Sequence, residues 1–304
     1  MTKPPFPHII DSTILGNFRS CPQKMFRTYI QHWKPRGESI HLRAGKAFAS
    51  GIEAARRAFY IEGLSSRDAE AIGLGALIRE YGVEDPPEGS TKTWDRMAGA
   101  LEFYFENYPL GADGSPPIRV GTSHGIEFSF AEPLDILHPE TGDPILYTGR
   151  ADMVAEAFGG VFTYDEKTAS QLGPSWLRQW EHRSQFTGYT WALRRQGFRV
   201  DGVVVRGVSI LKNDYGTAQA ITYRSGWEID RWEQQTLRDI RRMIQCWEEG
   251  YWDYNLDHAC TEYGGCALQR VCKSPDPQKW LEIDFVQRVW DPVAREERDA
   301  VPGV

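Results

Sequence analysis

Two aspartates and a lysine form the densest chemistry in this chain. Asp152 stands in the run Tyr147-Thr148-Gly149-Arg150-Ala151-Asp152-Met153-Val154, and Asp165 and Lys167 stand in Thr163-Tyr164-Asp165-Glu166-Lys167-Thr168. Both runs read as strands, with a turn at Gly159-Gly160 between them, and paired antiparallel strands can set two such side chains side by side. Two carboxylates held together repel one another unless a cation neutralises them. Oxygen ligands of this kind suit Mg²⁺ or Mn²⁺. Residues two apart on a strand share a face, so the Lys167 ammonium is expected beside Asp165. There it could orient a water or offset charge developing on a phosphate. The plain alternative is a set of charges on an exposed strand.

Neighbouring residues sharpen the first reading. Gln185 and Tyr189 are spaced i and i+4, which puts them on one helix face. Arg150 precedes Asp152 by two and shares its strand face, where it could contact a phosphate or pair with a carboxylate. Glu127 is either a further site acid or structural. Arg178, Arg183, Arg194, Arg195 and Arg199 cluster in one stretch, as a basic surface or as a solvated helix face. The histidines show no metal-ligand spacing. Trp176, Trp180 and Trp191 recur at helical spacing and are expected in the core.

The cysteines make a second group. Cys260, Cys266 and Cys272 lie near the C-terminus, and Cys21 precedes Pro22 near the other end. Three thiolates at even spacing can wrap a metal, and Cys21 is the plausible fourth. Four thiolates suit Zn²⁺ or a [4Fe–4S] cluster, and the spacing does not choose between them. Unconnected thiols are the remaining alternative. Cys246 lies among Met243, Ile244 and Trp247 and reads as a packed core thiol.

The elements that must position these groups follow from periodicity. Asp11-Ser12 offers an N-cap to a helix over Ile14–Tyr29, which Pro22 can divide. Further helices are expected at Gly45–Ile61, Ser66–Tyr81 and Lys92–Tyr108, with a loop over Glu84–Ser90. Gly111–Pro117 is a second loop. Strands follow at Gly125–Phe130, with Leu134–Leu137 continuing a hairpin, then at Ile145–Ala155 and Gly160–Thr168. A long helix is expected over Trp176–Gln196, then a Val-rich central strand at Gly202–Lys212, a strand at Thr217–Tyr223 and a helix at Asp230–Glu249. The order describes an α/β or α+β core with a mixed central sheet flanked by helices. The 304 residues read as a single domain, mainly helical over 1–117, with the core at 118–250 and a cysteine-rich region at 251–304.

The formal net charge of −7 counts against a protein that coats DNA, though not against an acidic metal site ringed by local Arg. No apolar run is long enough to span a bilayer, and Met1–Pro7 lacks the apolar region of a secretory signal. A cytoplasmic protein with no membrane partner is expected. No G-x-x-x-x-G-K-[ST] run of a helicase is present.

The runs Gly149-Arg150-Ala151-Asp152, Asp165-Glu166-Lys167 and Gln185-Phe186-Thr187-Gly188-Tyr189 together resemble the RecB-like branch of the PD-(D/E)XK nucleases. The resemblance implies a restriction-endonuclease-like core and DNA hydrolysis, typically exonucleolytic, with Mg²⁺ or Mn²⁺. It implies that Asp152, Asp165 and the main-chain carbonyl of Glu166 bind the metal and that Lys167 is the catalytic lysine. Gln185 and Tyr189 would line the DNA-facing side of the site, with Arg150 as a further DNA contact. The family's early helix usually carries a metal-binding histidine in a Gly-x-x-x-His stretch. Here Gly45 leads to Ala49, and Glu53, one turn on, is the expected substitute. The early Cys-Pro and three late cysteines resemble the iron–sulfur subgroup, which includes CRISPR adaptation exonucleases, AddB-type domains and phage exonucleases. That implies a structural [4Fe–4S] cluster on Cys21, Cys260, Cys266 and Cys272, with Zn²⁺ the alternative. A phage setting in the host cytoplasm, or a CRISPR one, and a recombination or CRISPR partner protein are further expectations. The competing function is a nuclease-derived DNA-binding or assembly protein with weakened catalysis, of which Ala49 would be the trace.

Overall fold

The computed structural model describes residues 3–37, 39–83, 86–262 and 265–299. Glu84, at the head of the loop expected over Glu84–Ser90, lies outside them, as do Tyr263, Gly264 and the last residues of the cysteine-rich region. The elements run β1 (Ile9–Asp11), α1 (Ser12–Ser20), α2 (Pro22–Met25), a π-helical turn (Phe26–Ile30), β2 (Trp33–Pro35), α3 (Ile40–Tyr60), α4 (Ser66–Tyr81) and α5 (Trp94–Asn107). Then come β3 (Arg119–Val120), β4 (Ser123–His124), β5 (Ile126–Leu137), β6 (Pro144–Ala157), β7 (Gly160–Ala169), α6 (Pro174–Arg178), α7 (Ser184–Arg195), β8 (Val200–Ile210) and β9 (Tyr215–Tyr223). The last are α8 (Gly226–Glu249), α9 (His258–Thr261), α10 (Gln269–Lys273), α11 (Pro277–Asp284), β10 (Phe285–Asp291) and β11 (Glu296–Asp299). No helix among the described residues is long and apolar enough to cross a membrane.

The chain divides into two compact units: Met1–Gly37 with Phe130–Gly149 and Asp230–Val304, and Glu38–Ser129 with Arg150–Ile229. In the second unit β6 pairs antiparallel with β7, β7 runs parallel to β8, and β8 pairs antiparallel with β9. This mixed sheet matches the architecture expected from the sequence. β8 is buried along almost its whole length, as its valine run requires. One face carries α3, α4 and α5, whose apolar stripes pack on Val208 and Ile210. The backbones of α3 and α4 meet where Gly51 faces Gly73, and a methyl group at either would press on the other's carbonyl. On the other face the Trp176 ring of α6 packs closely on Gly207 of β8, where a methyl group would meet it.

Two expectations need correction. Trp176–Gln196 is not one helix but α6 and α7, separated by a bend in which Arg183 adopts an extended backbone. Arg224, buried in this unit, donates from Nη2 to the Trp180 carbonyl at 2.8 Å and from Nε to Thr187 Oγ1 at 3.0 Å. Those tertiary bonds take up a carbonyl that a continuous helix would have used. Leu134–Leu137 does not begin a second hairpin arm but ends the single strand β5.

In the first unit β1 runs parallel to the start of β6, with Ile9 beside Leu146. Asp11 caps α1 by accepting from Ile14 N at 2.7 Å. Pro22 divides the N-terminal helix as expected, with Cys21 extended between α1 and α2. The tail is tied back to this break: Gln23 N donates to Asp253 O at 3.0 Å, and Asn255 Nδ2 to Ser20 O at 2.6 Å. Trp252 stacks on Phe26 and meets Phe18 edge-on. Leu268, Val271, Leu281 and Phe285 form a small core beneath the late cysteines.

Candidate functional site

Strand register builds the first cluster. Met153 of β6 faces Tyr164 of β7 in an antiparallel ladder. One further step of that register sets Asp152 opposite Asp165, and opposite residues project from the same face. The Glu166 N–H donates to Asp152 Oδ2 at 3.3 Å, which ties the two strands at this point. Lys167, two residues beyond Asp165, returns to the same face, with Nζ 2.6 Å from Asp165 Oδ2. Asp165 is 4% exposed, whereas 39% of the Lys167 side-chain surface stays accessible. Burial alone would lower the Lys167 pKa, but the Asp165 and Asp152 carboxylates and the hydrogen bond to Asp165 hold it above its ordinary value. The Tyr189 hydroxyl also acts on Lys167 electrostatically. Gln185 Nε2 donates to Tyr189 OH at 3.0 Å along α7. Asp152, Asp165, Lys167, Tyr189 and Gln185 are therefore brought to one place.

Arg150 pairs through Nε with Glu127 Oε2 at 2.6 Å. Glu127 takes a left-handed backbone, φ 51°, an unfavourable conformation for a non-glycine residue. Of the two roles expected for Arg150, carboxylate pairing is the one seen here. Glu53 lies on α3, its Oε1 2.8 Å from Arg57 Nε. Among the described residues no three His, Cys, Asp or Glu side chains group closely enough to hold a metal ion. Glu53 is thus not gathered with the aspartate pair in this structure. Ala49 is exposed on α3.

The Glu166 side chain points the other way, as strand alternation requires. Arg56 of α3 grips it with both terminal nitrogens, Nη1 at 3.1 Å from Oε2 and Nη2 on Oε1. Tyr104 of α5 donates its hydroxyl to Glu166 Oε1 at 3.1 Å and accepts from Arg56 Nη2 at 3.1 Å. Burial would push the Glu166 carboxyl up, but Arg56 and Arg206 hold it below its ordinary range. Neither Arg56 nor Tyr104 is flagged by sequence spacing. A charged residue at the inward-facing position between Tyr164 and Thr168 is the signal that a partner had to exist.

The cysteines form the second cluster. Cys21, Cys260, Cys266 and Cys272 line one cavity of about 30 Å³, with Leu268 and Tyr254 among its apolar walls. Cys266 N donates to Cys260 O at 2.9 Å, closing the loop between them. Burial raises the Cys272 thiol, and Cys266, Cys21 and Cys260 raise it further. Mutual repulsion of this kind is what a bound cation relieves. The four thiols share one cavity, yet no three of them, among the described residues, group closely enough to hold a metal ion, so the expected cluster is not evident in this structure. Cys246 is buried on α8, away from this set, as a core thiol.

A mixed sheet that carries an aspartate pair and a lysine on one face, with helices on both, has the layout of an α/β nuclease. Residues 13–273 match the PD-(D/E)XK nuclease superfamily, and the chain belongs to it. Members are hydrolases that generally use divalent metals such as Mg²⁺. No curated protein matches the chain. Among solved structures, a protein of Eubacterium rectale provisionally described as an exonuclease is 11% identical; the match covers 83% of this chain and 87% of that one, at a TM-score of 0.49. The crystal structure of SSO0001 is 15% identical over 65% of this chain and 74% of its own, at a TM-score of 0.29.

Proposed function

We propose that the chain is a Mg²⁺- or Mn²⁺-dependent deoxyribonuclease acting as an exonuclease. The observation that carries this is the shared face of Asp152, Asp165 and Lys167, with the ammonium 2.6 Å from a carboxylate oxygen. Asp152, Asp165 and the Glu166 carbonyl would hold the ion. A divalent ion supplies Lewis acidity and lowers the pKa of a bound water. Lys167 stands beside the carboxylates, where its charge favours an anionic phosphate and offsets charge developing on it. Tyr189, oriented by Gln185, faces the same spot and would fix the nucleotide's approach. Arg150 would exchange Glu127 for a DNA phosphate. The second cluster would bind a structural [4Fe–4S] group through Cys21, Cys260, Cys266 and Cys272, joining the break between α1 and α2 to the tail. A phage or CRISPR setting, with a recombination or adaptation protein as partner, belongs to the same reading.

The test is hydrolysis of end-labelled DNA with Mn²⁺ or Mg²⁺, by the wild type and by Asp165→Ala and Lys167→Ala. Activity in the wild type that both substitutions abolish supports the proposal. Equal activity in all three refutes it. DNA binding without metal-dependent cleavage would favour the nuclease-derived binding protein, a reading that draws on the exposed Ala49. Visible absorbance of anaerobically purified protein separates an iron–sulfur group from colourless zinc.

A further inference from the structure

A carboxylate that faces away from the site stands between its two principal residues. Glu166 follows Asp165 and precedes Lys167, yet its side chain is enclosed on the opposite face, against α3 and α5. Burying an ion pair there is not the easiest way to stabilise a sheet, since a well-packed apolar pair of similar volume often serves as well or better. What a bidentate arginine–carboxylate contact adds is direction, because two parallel hydrogen bonds fix orientation as well as distance.

We propose that Arg56, Tyr104 and Glu166 form a clamp that sets the orientation of the Glu166 backbone and, through it, of the Asp152–Asp165 pair. This rests on the reading of that pair as a divalent-ion site. The clamp engages the peptide from one side and the site engages it from the other. Arg56 and Tyr104 hold the Glu166 carboxylate, while the Glu166 N–H donates to Asp152 Oδ2 at 3.3 Å. The Glu166 N–H and C=O lie in the peptide planes on either side of its Cα, so a tilt of the whole residue, which its held side chain resists, moves the carbonyl and lengthens the bond to Asp152 together. The Arg56 charge, held mainly by Glu166, also interacts weakly with Asp152 of the neighbouring strand β6. Tyr104 bridges the guanidinium and the carboxylate, which closes the triangle and leaves the Glu166 side chain a single orientation. Their side chains are positioning groups: they face away from the proposed ion, which Glu166 would meet only through its main-chain carbonyl, and their effect passes through the backbone of β7.

Mn²⁺ titration by calorimetry without DNA, on the full chain, reads the effect apart from turnover. The variants are Tyr104→Phe, Glu166→Gln and the double Arg56→Met, Glu166→Met, which leaves no stranded charge. Asp165→Asn is the control, and circular dichroism checks each fold. Removing a partner that orients metal ligands weakens affinity by about tenfold or more, and this is expected of Glu166→Gln and of the double variant. Tyr104→Phe, which loses one hydroxyl, is expected to weaken binding by a smaller factor. A folded double variant, or Tyr104→Phe if the double variant does not fold, with wild-type Mn²⁺ affinity overturns the clamp and leaves the metal site standing. A wild type that binds no Mn²⁺ overturns the metal site, and the clamp with it. A merely structural role would lower melting temperature and spare metal affinity in whatever remains folded, which also counts against the clamp.

Discussion

Replacing Arg206 by Met tests whether the face behind the site is held by charge. The Arg206 side chain is 3% exposed and reaches Asp113 Oδ2 at 2.6 Å. It also donates to Gln219 Oε1 at 3.0 Å and Ser115 Oγ at 3.2 Å, and stacks 4.2 Å over Tyr108 and 4.8 Å over Tyr164. Methionine keeps much of the stem volume and strands the enclosed Asp113 carboxylate. Breaking one side of a buried pair costs about 3–5 kcal/mol, or roughly 2–4 °C of melting temperature per kcal/mol. Burial would raise the Asp113 carboxyl, but Ser115 and Arg206 hold it below its usual range. A group with a depressed folded pKa contributes stability above its unfolded value, about 3.9 for Asp, and loses it as pH falls through the folded one. The wild type therefore loses this contribution in acid, while the variant, lacking Arg206, gains by protonating Asp113. Urea unfolding followed by circular dichroism should show the full gap near neutral pH and a narrower one near about pH 3. A variant within about 1 kcal/mol of wild type at neutral pH, or a gap that ignores pH, refutes the reasoning.

Three further outcomes follow from the same geometry. Gly207→Val forces the Trp176 ring off β8, and overpacking of this kind should cost about 1–3 kcal/mol in urea unfolding. Arg150→Ala should weaken DNA binding, measured with Ca²⁺ in place of Mg²⁺, and reduce the slope of log affinity against log salt by about one. Cys21→Ser and Cys272→Ser should each remove visible absorbance from the anaerobic protein and make the tail more sensitive to protease.

Much of the site was legible because strands obey a simple rule. Alternation put Asp165 and Lys167 on one face, and the Gly159-Gly160 turn set β6 against β7, so Asp152 fell opposite Asp165. The i, i+4 spacing likewise brought Gln185 to Tyr189. The break between α6 and α7 was not legible, because it depends on Arg224, far along the chain, bonding to the Trp180 carbonyl. Arg56 was hidden for the same reason: it sits on the apolar stripe of α3, between Ala55 and Ala58, and only the sheet reveals that Glu166 is its partner. Glu53 was plausible by helical spacing, yet Arg57, one turn away, holds it along α3. The four cysteines could be grouped by residue type, but the cavity they line is a product of the tail folding back on the break at Pro22.

The central claim is that Asp152 and Asp165 hold a divalent cation beside Lys167. Anomalous diffraction from crystals soaked in Mn²⁺ tests it most directly. The account predicts a Mn²⁺ peak bonded to both carboxylates and to the Glu166 carbonyl, absent in Asp165→Asn. Mn²⁺ bound elsewhere, with Asp165 still paired to Lys167 alone, would contradict it.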